Sequence, residues 1–417
     1  MSRVLIVGGG ASGMVCAIKA SENNDVILVD KNSSLGKKIL VTGNGKCNYW
    51  NSDINVNHYN SNDMDVLEKI ITDDNKRDVL EFFDGLGIVP RIKEGYYYPM
   101  SNQATSIQTA LILECKLRGV EIITCEEVID ITKRDNSFLV KTTSLEFIVD
   151  KVVLAAGSRA SIKNGNNAIY EIAKRLGHTI IPVLPALVQL ELDASYLKDW
   201  HGIRQDGMVH LYQNNNLIKS SFGEIQLTDY GISGICVFQL SSLVSRGIYD
   251  KLDNQIEINF LYNLGINNEY EFIEYFKGRN DKLDGRNISE LLDGVLNYKL
   301  INLILKISKI DRFSNFDDIS YEKLIDLGRN FTRLRIKIKT TRGYEFAQVC
   351  TGGVKLSEIN PYTMESSMVD NLYVVGEVMD VDGECGGFNL GFAWISGYFL
   401  RNSNGRLDFP GPTQEAS

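Results

Sequence analysis

Short apolar runs punctuated by glycine open this chain. Val4 to Val7 is an unbroken hydrophobic run, Met14, Val15, Ala17 and Ile18 fall on a helical period, and Val26 to Val29 is a second run ending at Asp30. Runs of this kind predict strands buried on both faces, and the period between them predicts a helix. Helical patches follow in the polar stretch 53–95 (Val66, Leu67, Ile70, Ile71; Val79, Leu80, Phe82, Phe83), then a helix over Ser106 to Leu117 and a strand over Val120 to Thr124. Alternation at 127–133, 137–143 and 145–149 predicts antiparallel strands, ahead of an apolar strand at 151–157 and a helix over Ile169 to Leu176.

The pattern changes after Pro182 and Pro185. Short alternating strands with polar turns dominate from Ala186 to Ile258, and Gly231 and Gly234 interrupt a strand-to-helix junction within 223–242. Residues 267–329 are helical, with Leu291, Leu292, Val295, Leu296, Leu303, Ile304 and Ile307 on one broad face. RLRIKIKTT (333–341) returns to strand alternation with Arg and Lys outward, either a solvated face or a site for a phosphate or carboxylate. A strand over Leu372 to Val375 then leads through Gly383 to Gly387 into an apolar helix from Phe388 to Leu400, and the tail after Arg401 reads as loose. The expected division is 1–185 and 346–417 as two parts of one α/β domain, 186–262 plus 330–345 as an inserted β-rich domain, and 263–329 as a small helical domain.

The first unit carries recognisable chemistry. Gly8-x-Gly10-x-x-Gly13 lies between the first strand and its helix, and Asp30 ends the second strand twenty residues past Gly10. The first glycine permits a tight turn, the second lets backbone approach a pyrophosphate, and the third lets helix and strand pack closely. The helix N-terminus offers N–H groups to phosphate, and an acid at position 30 suits ribose hydroxyls. These features together predict a Rossmann-type dinucleotide site. Asn44, Asn48 and Asn51 with Gly43 and Gly45 suit left-handed backbone close to a flat ligand, or a surface loop. Ala156-Gly157 and Gly376-Glu377 end two further strands as second approaches to the cofactor. Tyr98-Pro99 is either a cis bond or an extended kink.

Composition narrows the class. The 417 residues carry 44 Lys plus Arg against 53 Asp plus Glu, a net charge of −9, which disfavours nucleic acid without excluding a local basic patch. No run reaches the ~20 apolar residues of a membrane span. The first strand starts so early that no signal peptide is expected, and seven cysteines without CxxC suit free thiols, so a cytoplasmic protein is expected. Four scattered histidines predict no metal site.

Four segments, GGGASG (8–13) with Asp30, GKKILVTGNGKCNYWN (36–51), GEIQLTDYGISG (223–234), and TGGVKLSEINPYTMES with NLYVVGEVMDVDGECGGFNLGFAWISGY (351–366, 371–398), resemble the BaiN/RdsA-like NAD(P)/FAD-dependent oxidoreductase family, which also takes in aminoacetone oxidases. The resemblance implies FAD in an extended pose on a Rossmann-type domain, with a β-rich and a small helical insertion. On it, Gly8, Gly10, Ala11, Ser12 and Gly13 hold the pyrophosphate, Asp30 and Lys31 the adenosine ribose, and Gly376 and Glu377 the ribityl or phosphate part. Asn44, Gly45, Lys46, Cys47 and Asn48 lie along the isoalloxazine, and Gly386, Gly387, Phe388 and Asn389 place a helix N-terminus by the flavin. Lys38, Thr42, Gly43, Val128, Ala156 and Gly157 complete the cofactor contacts. Two departures stand out: Lys46 and Trp50 replace the family's usual arginine and threonine, and SRASIKNGNNAIY (158–170) is poorer in Gly and Pro than usual.

The implied reaction is an NAD(P)H-driven hydride transfer through FAD to a polarised C=C bond of a small apolar molecule such as a bile-acid or steroid enone. Uridine reduction in ribosomal RNA and amine oxidation of the aminoacetone type are the alternatives. Tyr96, Tyr97, Tyr98, Tyr230 and Cys47 are candidate proton donors, because a phenol or thiol holds a proton at neutral pH; Cys47 also suits a buried packing role. Asp229 is a candidate only in a dry site. Lys46 adds positive charge toward the flavin. No second GxGxxG is present, so NADH or NADPH is expected to dock transiently. Oligomeric state, the choice of nicotinamide and the substrate itself are left open by the sequence.

Overall fold

Five parallel strands form the central sheet, in the order Glu121–Thr124, Asn24–Asp30, Ser2–Val7, Lys151–Leu154, Leu372–Val374. This computed structural model describes residues 1–161, 167–283 and 285–398. The tail after Arg401, Leu400, and the middle of the 158–170 segment lie outside the described residues. Ser2–Val7 occupies the centre, with Leu5 paired to Ile27 on one side and Val152 on the other. Val4, Leu5 and Ile6 are fully buried, as unbroken apolar runs require of a strand covered on both faces. The last strand of the sheet comes from the C-terminal block, so the two ends of the chain build one Rossmann-type domain.

The expected antiparallel strands form Val128–Arg134, Ser137–Thr142 and Glu146–Val149. The Tyr98-Pro99 dipeptide is extended, inside the strand Tyr96–Pro99, which pairs with Pro90–Lys93 and with Trp50–Asn51. Loop 36–51 contains a short helix over Lys37–Val41.

The chain divides into two compact units, Met1–Arg159 with Asn164–Val183 and Thr351–Ser417, and Ala160–Lys163 with Leu184–Cys350. In the second, strands Leu190–Leu192, Gly231–Ser233, Asn216–Leu227, Arg204–Gln213, Asn254–Asn259 and Leu334–Thr341 close into a six-stranded barrel. Helices Glu269–Lys282, Ile288–Leu292, Tyr298–Ile307 and Tyr321–Thr332 start at Asn268, Asn287, Asn297 and Ser320, each side chain accepting from a first-turn N–H. Their Phe272, Phe276 and Phe331 pack in the same hydrophobic cluster as Ile256, Ile258 and Ile336 of the barrel. Barrel and helices therefore form one unit with one core, where the sequence pattern suggested two.

Candidate active site

The glycine turn is built by close packing on two of its three glycines and by open space on the other. Gly8 has φ +104°, and a Cβ there would sit 2.6 Å from the carbonyl oxygen of Ala155. A Cβ on Gly13 would sit 1.9 Å from the Gly8 carbonyl oxygen, so only glycine lets the helix Ala11–Ala20 lie this close to its strand. A Cβ on Gly10 would meet nothing within 4 Å. That open side, at the helix N-terminus, is where a phosphate needs access. Ala11 is half-buried, while Ser12 is buried beside Gly376, whose Cβ would come 2.3 Å from the Ser12 hydroxyl. Asp30 accepts from the N–H of Gly9 and from that of Asn32, both at 2.7 Å. Each of its oxygens keeps a lone pair for a ribose hydroxyl. Lys31 beside it is exposed.

Around the neighbouring strand end, Lys38 Nζ lies 2.6 Å from Glu377 Oε2, and the Ser158 hydroxyl donates to Glu377 Oε1 at 2.7 Å. Gly157 has φ +69° and lies close to the same carboxylate; Ala156 is exposed and Val128 is buried. An acid at this place would repel a cofactor phosphate, and Lys38 neutralises it.

The third cluster gathers three sequence blocks. Gly43, Asn44, Gly45 and Cys47 all have positive φ, and residues 43–46 are exposed at the loop surface. The Thr42 hydroxyl donates to the Ile39 carbonyl at 2.6 Å and anchors this loop. A Cβ on Gly43 would lie 3.6 Å from the Tyr98 ring and 3.7 Å from the Asn48 Cβ. A Cβ on Gly387 would lie 2.8 Å from the Trp50 carbonyl and 3.1 Å from Asn48 Oδ1. Asn51 Nδ2 donates to the Gly386 carbonyl at 2.8 Å. Loop 42–48, the tyrosine strand and the start of helix Phe388–Tyr398 thus converge on Asn48. Trp394 in that helix donates to the Tyr49 carbonyl at 2.8 Å and fixes the junction. The Asn389 amide is turned inward: it accepts from the Gly383 N–H at 2.8 Å and donates to the Gly383 carbonyl at 2.7 Å. It shapes the glycine loop rather than facing a ligand.

The candidate donors differ sharply. Cys47 is fully buried, and burial pushes its thiol up to about 11 against a hydrogen bond with Thr42. It is an enclosed, protonated side chain suited to packing. Tyr98 is half-buried, and burial followed by the neighbouring Tyr96 raises its phenol above the ordinary range. Lys46 is exposed, and Tyr96 and Tyr97 stand in the same strand as Tyr98. Tyr230 belongs to the second unit, where it stacks with Arg342. Asp229 is exposed, not in a dry site.

One residue escaped the sequence reading. His58 Nδ1 lies 3.0 Å from Glu384 Oε2, its Nε2 lies 2.9 Å from Asp53 Oδ2, and its ring stacks on Phe388 at 4.4 Å. Burial works to lower its pKa, but the hydrogen bonds to Glu384 and Asp53 outweigh it and raise the group. Glu384 is 326 residues away in sequence, so no local spacing announces the pair.

The FAD implied by the family resemblance fits these residues. Gly10 opens the helix N-terminus, Asp30 has acceptor capacity left, and Asn48 Oδ1 is buried without a hydrogen-bond partner. An orphaned buried acceptor next to left-handed glycines is what a donor-bearing flat ligand would complete. Among the described residues no group of three or more His, Cys, Asp or Glu side chains could hold a metal, and no helix is long and apolar enough to cross a membrane.

Comparison with known proteins agrees. The chain is 35% identical over 402 residues to a 3-dehydro-bile acid delta(4,6)-reductase of Clostridium scindens, covering 95% of this chain and 98% of that one. It is 28% identical over 408 residues to a ribosomal RNA dihydrouridine synthase of Haemophilus influenzae, with 95% and 97% coverage. The corresponding enzyme of Escherichia coli is 25% identical over 399 residues, with 94% and 96% coverage. The family model described as the HI0933-like protein Rossmann domain matches residues 2–402. The chain therefore belongs to the HI0933-like Rossmann family and is an FAD-dependent oxidoreductase.

Proposed function

We propose that this protein is an NAD(P)H-driven reductase that saturates an activated C=C bond in a small apolar molecule such as a bile-acid or steroid enone. The observation that carries the reading is the 35% identity, over nearly the whole of both chains, to the bile-acid reductase. When bound, FAD supplies hydride exchange between the nicotinamide and the substrate. Gly8, Gly10, Gly13 and the first turn of helix Ala11–Ala20 would hold its pyrophosphate, Asp30 its ribose, and the neutralised Lys38–Glu377 pair its middle. Asn44, Gly45, Lys46 and Asn48 with the start of helix Phe388–Tyr398 would line the flavin, where the helix dipole and Lys46 would favour negative charge. The nicotinamide docks transiently at the same face.

The proton comes from Tyr98. Its raised phenol stays protonated at neutral pH, and the α-carbon of an enolate is basic enough to take that proton. Cys47, enclosed and equally protonated, is left as packing. The test is product analysis: the FAD-loaded protein, given NADPH or NADH and a 3-dehydro-Δ4,6 bile acid, should yield the acid with two hydrogens added per bond reduced. Unchanged substrate with both nicotinamides contradicts the proposal.

Ribosomal RNA uridine reduction is the second reading, favoured by the two dihydrouridine synthase relatives. The basic strand that would serve it is largely neutralised. Arg335 pairs with Glu257 at 3.3 Å, Lys337 with Asp253 at 3.7 Å, and Arg333 with Glu269. RNA contact needs cations available to phosphate.

A further inference from the structure

Within the strand Leu334–Thr341, Arg335 and Lys337 pair with carboxylates, whereas the arginine just beyond the strand lies against aromatic rings. The Arg342 backbone N–H donates to the Gln189 carbonyl at 3.0 Å, which fixes the residue at the barrel rim. Its guanidinium carbon lies 3.7 Å from the Phe346 ring centre and 4.5 Å from that of Tyr230. Among the described residues this guanidinium makes no hydrogen bond or ion pair. The Tyr230 hydroxyl is likewise without a protein partner among them, and Gln189 Oε1 is buried without one. Gln189 precedes the strand Leu190–Leu192, Tyr230 precedes Gly231–Ser233, and Arg342 follows Leu334–Thr341. Leu190 pairs with Thr341, which puts Gln189 and Arg342 beyond one end of this three-residue strand, while the Leu192 N–H donates to the Tyr230 carbonyl at 3.0 Å beside its other end, so the Arg342 side chain reaches along the short strand to the Tyr230 ring.

Aromatic rings near a guanidinium cover its faces and leave its edge, with the N–H fork, as the open side. A fork held this way accepts a carboxylate in plane through two hydrogen bonds. A phenol beside it can donate a third, and the exposed Phe346 ring offers an apolar surface. We propose that Arg342, Tyr230 and Phe346 form a carboxylate-binding site of the second unit that selects an amphipathic organic acid as ligand. This rests on the enone-reductase reading above for the choice of ligand: the acid is a bile acid met through its side-chain carboxylate, so neutral steroid enones are the poorer ligands of this site.

The experiment is calorimetric titration of the FAD-loaded, full-length protein with a 3-dehydro-Δ4,6 bile acid and, separately, with its methyl ester. The wild-type protein should bind the acid about tenfold or more tightly than the ester, the difference expected of one charge-assisted pair. R342Q should erase that preference by weakening the acid alone, R342K should restore part of it, and Y230F should weaken the acid several-fold. A merely structural stack would lower the thermal midpoint and leave the ratio of acid to ester affinity unchanged. An unaltered ratio in R342Q, or equal loss for both ligands, overturns this inference and leaves the reductase reading standing. Failure of the wild-type protein to bind either ligand overturns the reading on which it rests.

Discussion

Asp30 uses one carboxylate for two tasks, bracing the glycine turn through Gly9 and remaining available to a ribose. Asp30→Ala should therefore raise the FAD dissociation constant by about tenfold or more, since a charged hydrogen-bond acceptor is lost on both counts. Flavin fluorescence on titration checks this. Tyr98 carries the proton in this account, so Y98F should lower kcat by about 10² to 10⁴ while leaving flavin bleaching by the nicotinamide unaffected. Equal turnover would place the donor elsewhere. His58 yields a pH prediction. Its folded pKa is raised, so its contribution to stability is full below about 6.5 and is lost as pH climbs through the higher folded value. His58→Asn should flatten the fall in thermal midpoint across that window. The residues that composed motifs, such as Gly8, Gly13 and Asp30, were legible in sequence because the motif itself, strand, glycine turn, helix, strand and acid, lies within one stretch of about thirty residues. His58 and Arg342 were not, because what makes them notable comes from distant segments: Glu384 for one, Tyr230 for the other.

At the scale of elements, helix Phe388–Tyr398 and helix Ala11–Ala20 touch backbone to backbone. A Cβ on Gly397 would lie 2.5 Å from the Ser12 carbonyl oxygen. G397A should destabilise the first unit by about 1–3 kcal/mol, because neither backbone can move without disturbing the glycine turn. Thermal unfolding with and without FAD measures it. Both helices were readable from their apolar period, and the strands beneath them from unbroken apolar runs. Their contact was not, since a glycine late in an apolar helix says nothing about which backbone it admits. Loop 36–51 shows the converse: its Gly and Asn content signalled left-handed backbone, and four positive-φ residues between 43 and 47 are found there.

Across the whole molecule, two separate hydrophobic cores stand behind two units. The helices at 263–329 carry an apolar face like that of an independent bundle, and the sequence pattern divides them off for that reason. Their aromatic residues instead complete the barrel core, a fact set by tertiary packing alone. FAD binding by the first unit should raise the unfolding temperature of that unit alone, so calorimetry of apo and FAD-loaded protein should show one shifted and one stationary transition. A single transition that moves as a whole would mean that the units unfold as one.

The most direct test of the proposed reaction is anaerobic rapid mixing of the FAD-loaded protein, first with NADH or NADPH and then with a 3-dehydro-Δ4,6 bile acid. Bleaching of the flavin band by a nicotinamide, and its return on adding the enone, is the result this account predicts. A band that recovers only with uridine-containing RNA, or one bleached by aminoacetone alone and restored by air with peroxide formed, would contradict it.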